Sequence, residues 1–262
     1  MASADRLWIR INGLLFTDWS SVRIERNLMA AAGACHLIVA DTDHPTARPG
    51  NSIEIWFGKQ QMLRGFVDAI QRRLQDGASD VVIIARDQTA DLTDCAADPD
   101  GQHEWNRYGV DWIAAAIASK FSIPVVVEPH TDVGAPFQKF ALEPGESGFA
   151  AIERAARMVG VLVFCPGDGQ LHLATPSKKR TVVALEAGRN ILEADLVYSY
   201  ADRHSLYVVR GQRPGDDLVW GATLGEADGR ATDPEIKRYR PLVVLAEKNV
   251  DDTLATKRAQ WE

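Results

Sequence analysis

The chain has 262 residues, of which 46% are hydrophobic and 25% are charged, and its formal net charge at pH 7 is −7. This composition is typical of an ordinary globular protein and excludes a disordered or collagen-like chain. No apolar run approaches the ~18 residues of a membrane span, and the acidic balance argues against a protein that wraps nucleic acid. The N-terminus lacks a basic region followed by an apolar one, so we expect no Sec-type secretion.

The first 95 residues have the pattern of short β-strands. Ile9 and Ile11 alternate with polar or amphipathic neighbours, and Asn12-Gly13 directly after them is typical of a tight hairpin turn. Turns rich in glycine separate the later apolar runs, and no helical period lies between them. The pattern predicts an antiparallel β-barrel-like domain. Its predicted strands are Leu7–Ile11, Val22–Ile24, Cys35–Val39, Ile53–Phe57, Met62–Ile70 and Val81–Ala85.

After Ala96 the apolar period becomes helical, and the turn cluster at residues 98–101 marks the predicted domain boundary. A first helix is predicted between Gly109 and Phe121, followed by a β-branched strand at Ile123–Val127. The predicted buried stripe of this helix consists of Trp112, Ile113, Ala116, Ile117 and Phe121.

A second helix is predicted after Pro144-Gly145-Glu146-Ser147, and it ends at Gly160, a residue type that favours helix C-termini. A hairpin of Val161–Phe164 and Leu171–Ala174 follows, which completes a small α-β-α-β-β module. The predicted buried face of the helix consists of Phe149, Ile152, Ala156 and Val159, with Glu153, Arg154 and Arg157 outside.

The last part of the chain returns to strands. These are predicted at Asp195–Gln212, Leu218–Ala222 and Leu242–Ala246, with a polar mobile loop at Gly225–Pro234 and a helix over Asp251–Glu262. The sequence thus predicts a mainly β fold with a small α/β insertion. Its predicted domains are an antiparallel β-barrel domain at 1–96, a small α/β domain at 97–180, and an incomplete second β-barrel ending in a helix at 181–262.

Gly145-Glu146-Ser147-Gly148 is the nearest approach to a catalytic motif. A nucleophile elbow needs glycine two residues after the serine, and this chain has Phe149 there. We therefore predict that Ser147 lies near the N-cap of the second helix. The alternative is a hydrolase that acts on cell wall or ester substrates, with Ser147 or the acidic pair of Asp91 and Glu146 doing the chemistry.

Three carboxylates, Asp87, Asp91 and Asp94, have a spacing that would align them on one helix face for a hard cation. The favoured interpretation is a short helical turn after a strand, with acids near its N-terminus. The cysteines are far apart and form no CxxC pair, which predicts buried, reduced thiols. We therefore predict no catalytic, cofactor-binding or metal-binding residues and no cofactor.

The tryptophans do not interleave with a basic stripe, so a stacking platform for single-stranded nucleic acid is not predicted. A second alternative is a receptor- or carbohydrate-binding module that would use exposed Trp19 or Trp56. Both lie in strand-like patterns, which favours a core or interface position.

Short motifs in a fixed order give the chain a family resemblance. It resembles the baseplate hub proteins of Mu-like contractile-tailed phages, the tail protein P family, which is related in fold to the T-even phage hub and to the base of type VI secretion spikes. The motifs are Arg86–Cys95 at the end of the first barrel, Gly145–Phe149 with Ile152–Ala156, Gly167–Leu171, Gly188–Leu192 and Tyr207–Gln212.

The resemblance implies a non-enzymatic virion protein, made in the host bacterial cytoplasm and located in the tail baseplate. It implies a homotrimeric ring that joins a sixfold tail tube to a threefold spike. DNA would pass through this ring without binding specifically, and the protein would not insert into a membrane. The implied partners are further copies of the chain, the tail spike, and tail tube or other baseplate proteins. Relatives continue past the equivalent of Trp261-Glu262, so we expect an incomplete second barrel here.

Overall fold

We analysed a computed structural model of the protein. It describes residues 7–40, 47–75, 78–98, 101–176, 182, 184–191, 193–213, 226–247 and 249–262. The chain divides into two compact units, one of Met1–Ala156 with Val161–Ala174 and one of Arg157–Gly160 with Thr175–Glu262. The fold is mainly β, as the sequence predicts. No helix among the described residues is long and apolar enough to cross a membrane.

The first unit begins with a seven-stranded antiparallel sheet in the order β2-β1-β5-β6-β7-β4-β3. The two edge strands, β2 and β3, are joined by only Thr17 and Asp18, so the sheet must curl to bring its edges near each other. The strands are β1 Leu7–Ile11, β2 Leu14–Phe16, β3 Trp19–Glu25, β4 Ala34–Ala40, β5 Ser52–Phe57, β6 Gln60–Gln75 and β7 Ala78–Asp87.

Alternating side chains fill the inside of this curled sheet, as a half-barrel requires. All six predicted strands are confirmed, and the hairpin turn has positive φ angles at Asn12 and Gly13. The short strand β2 was not predicted, because Leu14 and Leu15 are both exposed and show no alternation. The largest fully buried side chains of this core include Ile9, Leu37, Ile53, Ile55, Leu63 and Ile83.

The rest of the first unit, which includes helix α3 as far as Ala156, is an α/β module. Strands β9 and β12 pair in parallel, and β12 also pairs antiparallel with β11, while β8 and β10 form a separate two-stranded ladder. The module contains α1 Ala90–Asp94, β8 Glu104–Trp105, α2 Val110–Ser119, β9 Val125–Val127, β10 Phe140–Ala141, α3 Gly148–Val159, β11 Leu162–Phe164 and β12 Leu171–Ala174.

Two predictions about the faces of these helices are wrong. Trp112 is 66% exposed on α2, where small alanines share the buried stripe, and its ring contacts Tyr108 at a centroid distance of 6.3 Å. Arg154 is buried on α3, because Glu146 neutralises its charge and Phe140 lies against its guanidinium group. The predicted helix end is confirmed, since Gly160 has a φ of 72°.

The second unit contains a three-stranded sheet in the order β14-β13-β15. Its elements are β13 Leu206–Gln212, β14 Glu226–Thr232, β15 Pro241–Leu245 and helix α4 Asp252–Trp261. β13 pairs antiparallel with β14 and parallel with β15. Asp251 caps the predicted C-terminal helix by accepting a hydrogen bond from the Leu254 amide at 2.8 Å.

The predicted mobile loop at Gly225–Pro234 is wrong, because residues 226–232 form strand β14. Buried and exposed residues do alternate along β14, since Ala227 and Gly229 are buried and their charged neighbours are exposed. The pattern was missed because the buried residues are small rather than large and apolar. The predicted strand over Asp195–Gln212 is too long, since regular pairing begins at Leu206. The predicted strand Leu218–Ala222 lies outside the described residues.

Helix α4 packs closely on this sheet because β14 offers it a glycine. A Cβ atom added at Gly229 would lie 2.0 Å from the backbone carbon of Ala255, which is far inside van der Waals contact. Ala255 and Ala259 of α4 are both buried, and their small side chains allow a helix to approach a strand closely. The buried Arg258 is held by Glu247 at 2.9 Å.

Gly229→Ala should therefore lower the free energy of unfolding of the second unit by about 2 kcal/mol, because helix and strand must move apart. Urea unfolding followed by circular dichroism measures this change. Thr232→Ala, at an exposed site on the same strand, is the control and should change stability by less than about 0.5 kcal/mol. Equal stability of the two variants would contradict the close packing of α4.

Candidate interaction surfaces

The outer face of the first sheet carries an aromatic patch, which we define as Trp8, Arg10, Leu15 and Trp56. Trp8 and Trp56 are direct partners across β1 and β5, and their rings stack at 5.0 Å with an interplanar angle of 6°. The Arg10 guanidinium lies 4.9 Å from the Trp8 ring centre, and Leu15 lies opposite Arg10 with 64% of its surface exposed. The patch combines apolar side chains with Arg10, which lies opposite Glu54 across β1 and β5, and aromatic residues together with arginine are common at protein interfaces.

A pocket of about 360 Å³ lies beside this patch, where β2 passes to β3. It is lined by Leu7, Trp8, Leu15, Phe16, Thr17 and Trp19. Five of these six residues have hydrophobic side chains, and the sixth, Thr17, adds a hydroxyl group. The pocket therefore combines apolar surface with polar atoms that a bound group could contact.

The turn between β11 and β12 fastens the α/β module to the barrel within the first unit. The Gln88 side-chain amide donates a hydrogen bond to the Gly169 carbonyl at 2.5 Å. A Cβ atom added at Gly167 would lie 2.3 Å from the Met62 carbonyl oxygen and from the Arg26 guanidinium, which itself donates to that oxygen. Gly167 has a φ of 97°, so both its backbone angle and its surroundings require glycine.

A buried carboxylate lies beneath this junction. Asp87 is 1% exposed and accepts hydrogen bonds from the amides of Gly33 at 2.8 Å and Arg64 at 3.2 Å. Burial raises the pKa of Asp87 from its ordinary value of 3.8 to about 6, although those two hydrogen bonds oppose the rise. Burial, with a smaller contribution from the Asp87 charge, raises the pKa of the Cys35 thiol to about 12.

His172 ties the same turn to the neighbouring strand. Its Nδ1 atom lies 2.7 Å from a carboxylate oxygen of Glu128, and its Nε2 atom lies 3.0 Å from the carboxylate of Asp168. Asp168 also accepts from the Gln170 amide at 2.9 Å, which shapes the turn. These contacts connect the β11–β12 turn to Glu128, which follows strand β9.

The serine of the elbow-like motif has a structural role, as predicted. The Ser147 hydroxyl accepts a hydrogen bond from the Ala150 amide at 3.2 Å, which is the N-cap arrangement for α3. The carboxylate of Glu146 lies 2.6 Å from the Arg154 guanidinium. Asp91 is exposed on α1. Of the residues that the hydrolase alternative names, Ser147 therefore caps a helix and Glu146 forms a buried ion pair, while Asp91 is exposed.

The three spaced carboxylates have separate environments. Asp87 ends strand β7, so it does not share a helix face with Asp91 and Asp94, and the predicted short helical turn is confirmed as α1. Arg86 lies 2.6 Å from Asp94, and the hydrogen bond between them lowers the pKa of Asp94. Among the described residues, no group of three His, Cys, Asp or Glu side chains is arranged to hold a metal ion.

The predicted environments of the cysteines and tryptophans are partly corrected. All three cysteines are free, and Cys35 and Cys165 are buried, but Cys95 is exposed because it caps the end of α1. Trp19 and Trp56 are both half-buried. The sequence prediction missed Trp8 as the stacking partner of Trp56, although both residues lie out of phase with the buried isoleucines of their strands.

In the second unit, large apolar side chains are exposed over a continuous stretch. Leu196 is 76% exposed, Val197 88% and Tyr198 92%. Val243 and Leu245 on strand β15 are 56% and 76% exposed. Contiguous apolar exposure of this kind marks interaction sites in proteins.

The pH dependence of the free energy of unfolding tests the raised pKa of Asp87. A carboxyl whose pKa is raised on folding stabilises the protein at low pH, and this contribution is lost as pH rises from about 4 through 6. Asp87→Asn should remove about 2–3 kcal/mol of that pH dependence between pH 4 and 7. Urea unfolding over this pH range measures it, with Asp91→Asn as the exposed control. An unchanged slope in Asp87→Asn would contradict the assignment.

Comparison with known proteins agrees with a phage tail origin. Residues 6–87 match the family model described as Mu phage baseplate assembly protein GpP-like, N-terminal. Residues 89–175 match the model described as baseplate hub protein gp44-like, second domain. The chain is 30% identical to baseplate hub protein gp44 of Escherichia phage Mu, over 97% of this chain and 69% of that protein.

Solved structures of tail proteins have the same fold. The 43 kDa tail protein of prophage MuSo2 from Shewanella oneidensis matches 98% of this chain and 77% of its own, with a TM-score of 0.78 and 29% identity. The tail protein from Neisseria meningitidis MC58 matches 97% of this chain and 74% of its own, with a TM-score of 0.76 and 20% identity. The motif order, the half-barrel and these matches agree, and the chain belongs to the baseplate hub family of Mu-like phages.

Proposed function

We propose that three copies of this chain form the central ring of a contractile phage or prophage baseplate. The similarity to the Mu hub protein along 97% of the chain carries the proposal. In this ring, the chain would adapt the sixfold symmetry of a tail tube to the threefold symmetry of a spike. Its partners are further copies of the chain, a tail spike protein, and tail tube or other baseplate proteins.

The surface chemistry of the first unit supports a role in assembly. The aromatic patch combines two stacked tryptophans with an arginine, and these residue types are enriched in protein interfaces. The patch lies on β1 and β5, next to the edge strand β2, where a second protein can add contacts along the sheet. Tail tube or baseplate proteins are the partners that we assign to it.

The charge of the chain supports passage of DNA without binding. A net charge of −7 for each copy repels the phosphate backbone, which binds proteins through lysine and arginine. We assign the chain no enzymatic activity, since Ser147 and Glu146 have structural partners. The protein would be made in the host cytoplasm and would act in the virion, at the tail baseplate.

The mass of the protein in solution tests the ring. We expect light scattering to give a stable mass of three times 28.8 kDa across a concentration series and at two salt concentrations. Apolar contacts should keep the trimer intact at high salt, where surface charge pairs are screened. A monomer at every concentration would contradict the ring.

A further inference from the structure

The second unit contains a segment that has the properties of an unpaired β-strand. Residues 193–200 run without helix or turn, and every one of them is exposed. No backbone hydrogen bond joins residues 193–199 to another residue in the part of the chain that the structure describes. The segment nevertheless carries Leu196, Val197, Tyr198 and Tyr200, which are side chains that favour strands and interfaces.

Strand β15 has the complementary property of an open apolar edge. It pairs with β13 on one side, and no described strand pairs with its other side. Val243 and Leu245 are exposed on it by 56% and 76%. Proteins usually protect such an edge with charges, bulges or a covering element, because free N–H and C=O groups there can pair with another strand.

The charged residues near the segment and near β15 favour parallel over antiparallel pairing of the two. Glu193 and Asp195 precede the apolar run of the segment, whereas Arg238 and Arg240 precede β15. Parallel alignment would place these opposite charges next to each other. Antiparallel alignment would instead place the two acids near Glu247, which follows β15 and is already bound to Arg258.

The geometry of the chain prevents this parallel pairing within one copy. The Arg240 guanidinium donates a hydrogen bond to the Ala201 carbonyl at 2.7 Å, so the end of the segment lies beside the start of β15. Parallel pairing requires the end of the segment to lie beside the end of β15, about 16 Å further along the strand. Only the β15 edge of a second copy can accept the segment in this direction.

We propose that residues 193–200 of one copy add as a parallel strand to the β15 edge of the next copy. This inference rests on the proposed ring, for which it supplies the contact between subunits. A donor segment and an acceptor edge on the same chain make a head-to-tail contact, which closes into a trimeric ring when each copy is rotated by a third of a turn from the last.

Cysteine cross-linking tests the contact directly. The exposed thiol is first removed by Cys95→Ser, which leaves only the buried Cys35 and Cys165. Tyr198→Cys and Val243→Cys are then made in separate chains and mixed under mild oxidation, because a parallel register that places Glu193 beside Arg238 also places Tyr198 beside Val243. Neighbouring strands bring such residues within the ~7 Å that a disulfide requires between Cα atoms. We expect a cross-linked dimer from the mixture and at most traces from either variant alone.

Charge reversal tests the direction of pairing. Glu193→Lys and Arg238→Glu should each raise the trimer dissociation constant by about tenfold, and the double variant should recover most of the loss. Tyr198→Glu should dissociate the trimer, whereas Trp112→Glu, at an exposed aromatic residue of the first unit, is the control and should not. Unchanged circular dichroism spectra would show that the variants remain folded, as expected for exposed sites.

The outcomes separate this inference from the proposed function. A wild-type trimer that shows no cross-link and survives Tyr198→Glu would overturn the strand contact and leave the ring intact. A cross-link that forms only inside a single chain carrying both cysteines would also overturn it. A wild-type monomer at every concentration would overturn both proposals.

Discussion

The backbone groups at the edges of β-sheets are the constraint on which the rest of this structure depends. An edge strand leaves N–H and C=O groups unpaired, and a protein must pair, cover or shorten such edges to remain specific in its contacts. In the first unit the seven strands curl, and the two edge strands β2 and β3 are joined by only two residues but do not pair with each other. The second unit, with three strands, leaves the edge of β15 open among the described residues. Both units therefore have sheet edges that a partner can reach, and we assign the subunit contact to the second unit because it also carries the exposed apolar residues 196–198.

The first unit is stabilised by contacts that do not depend on assembly. The β11–β12 turn lies against the first sheet at Gly167 and Gly169. Beneath it, the Asp87 carboxylate accepts hydrogen bonds from two backbone amides of that sheet region. These groups are buried or close-packed, so the barrel and the α/β module behave as one compact unit.

The sequence predicts correctly those strands in which the buried positions are large apolar residues and the exposed positions are polar. Strands β1, β4, β5 and β7 alternate apolar residues with polar ones or are β-branched, and Asn12-Gly13 marks a tight turn, so these features were predicted correctly. Strand β14 was missed because its buried positions are Ala227 and Gly229, which look like loop residues. Their small size is required by helix α4, and that helix is more than 20 residues away in the chain.

The candidate surfaces are less predictable because they depend on contacts between distant residues. The burial of Arg154 depends on Glu146 and Phe140, and the stacking of Trp8 with Trp56 depends on the pairing of β1 with β5. Residues 195–200 look like an ordinary strand in sequence. Only the structure reveals that they have no described partner, and this is what turns a predicted strand into a candidate contact.

Electron microscopy of the purified protein tests the central claim most directly, because it shows symmetry and closure together. Class averages should show a closed ring with threefold symmetry and a central opening. Adjacent subunits should be joined by continuous β-sheet density through the second unit. Particles with another rotational order, or single chains with no ring at protein concentrations well above those of the host cell, would contradict the account.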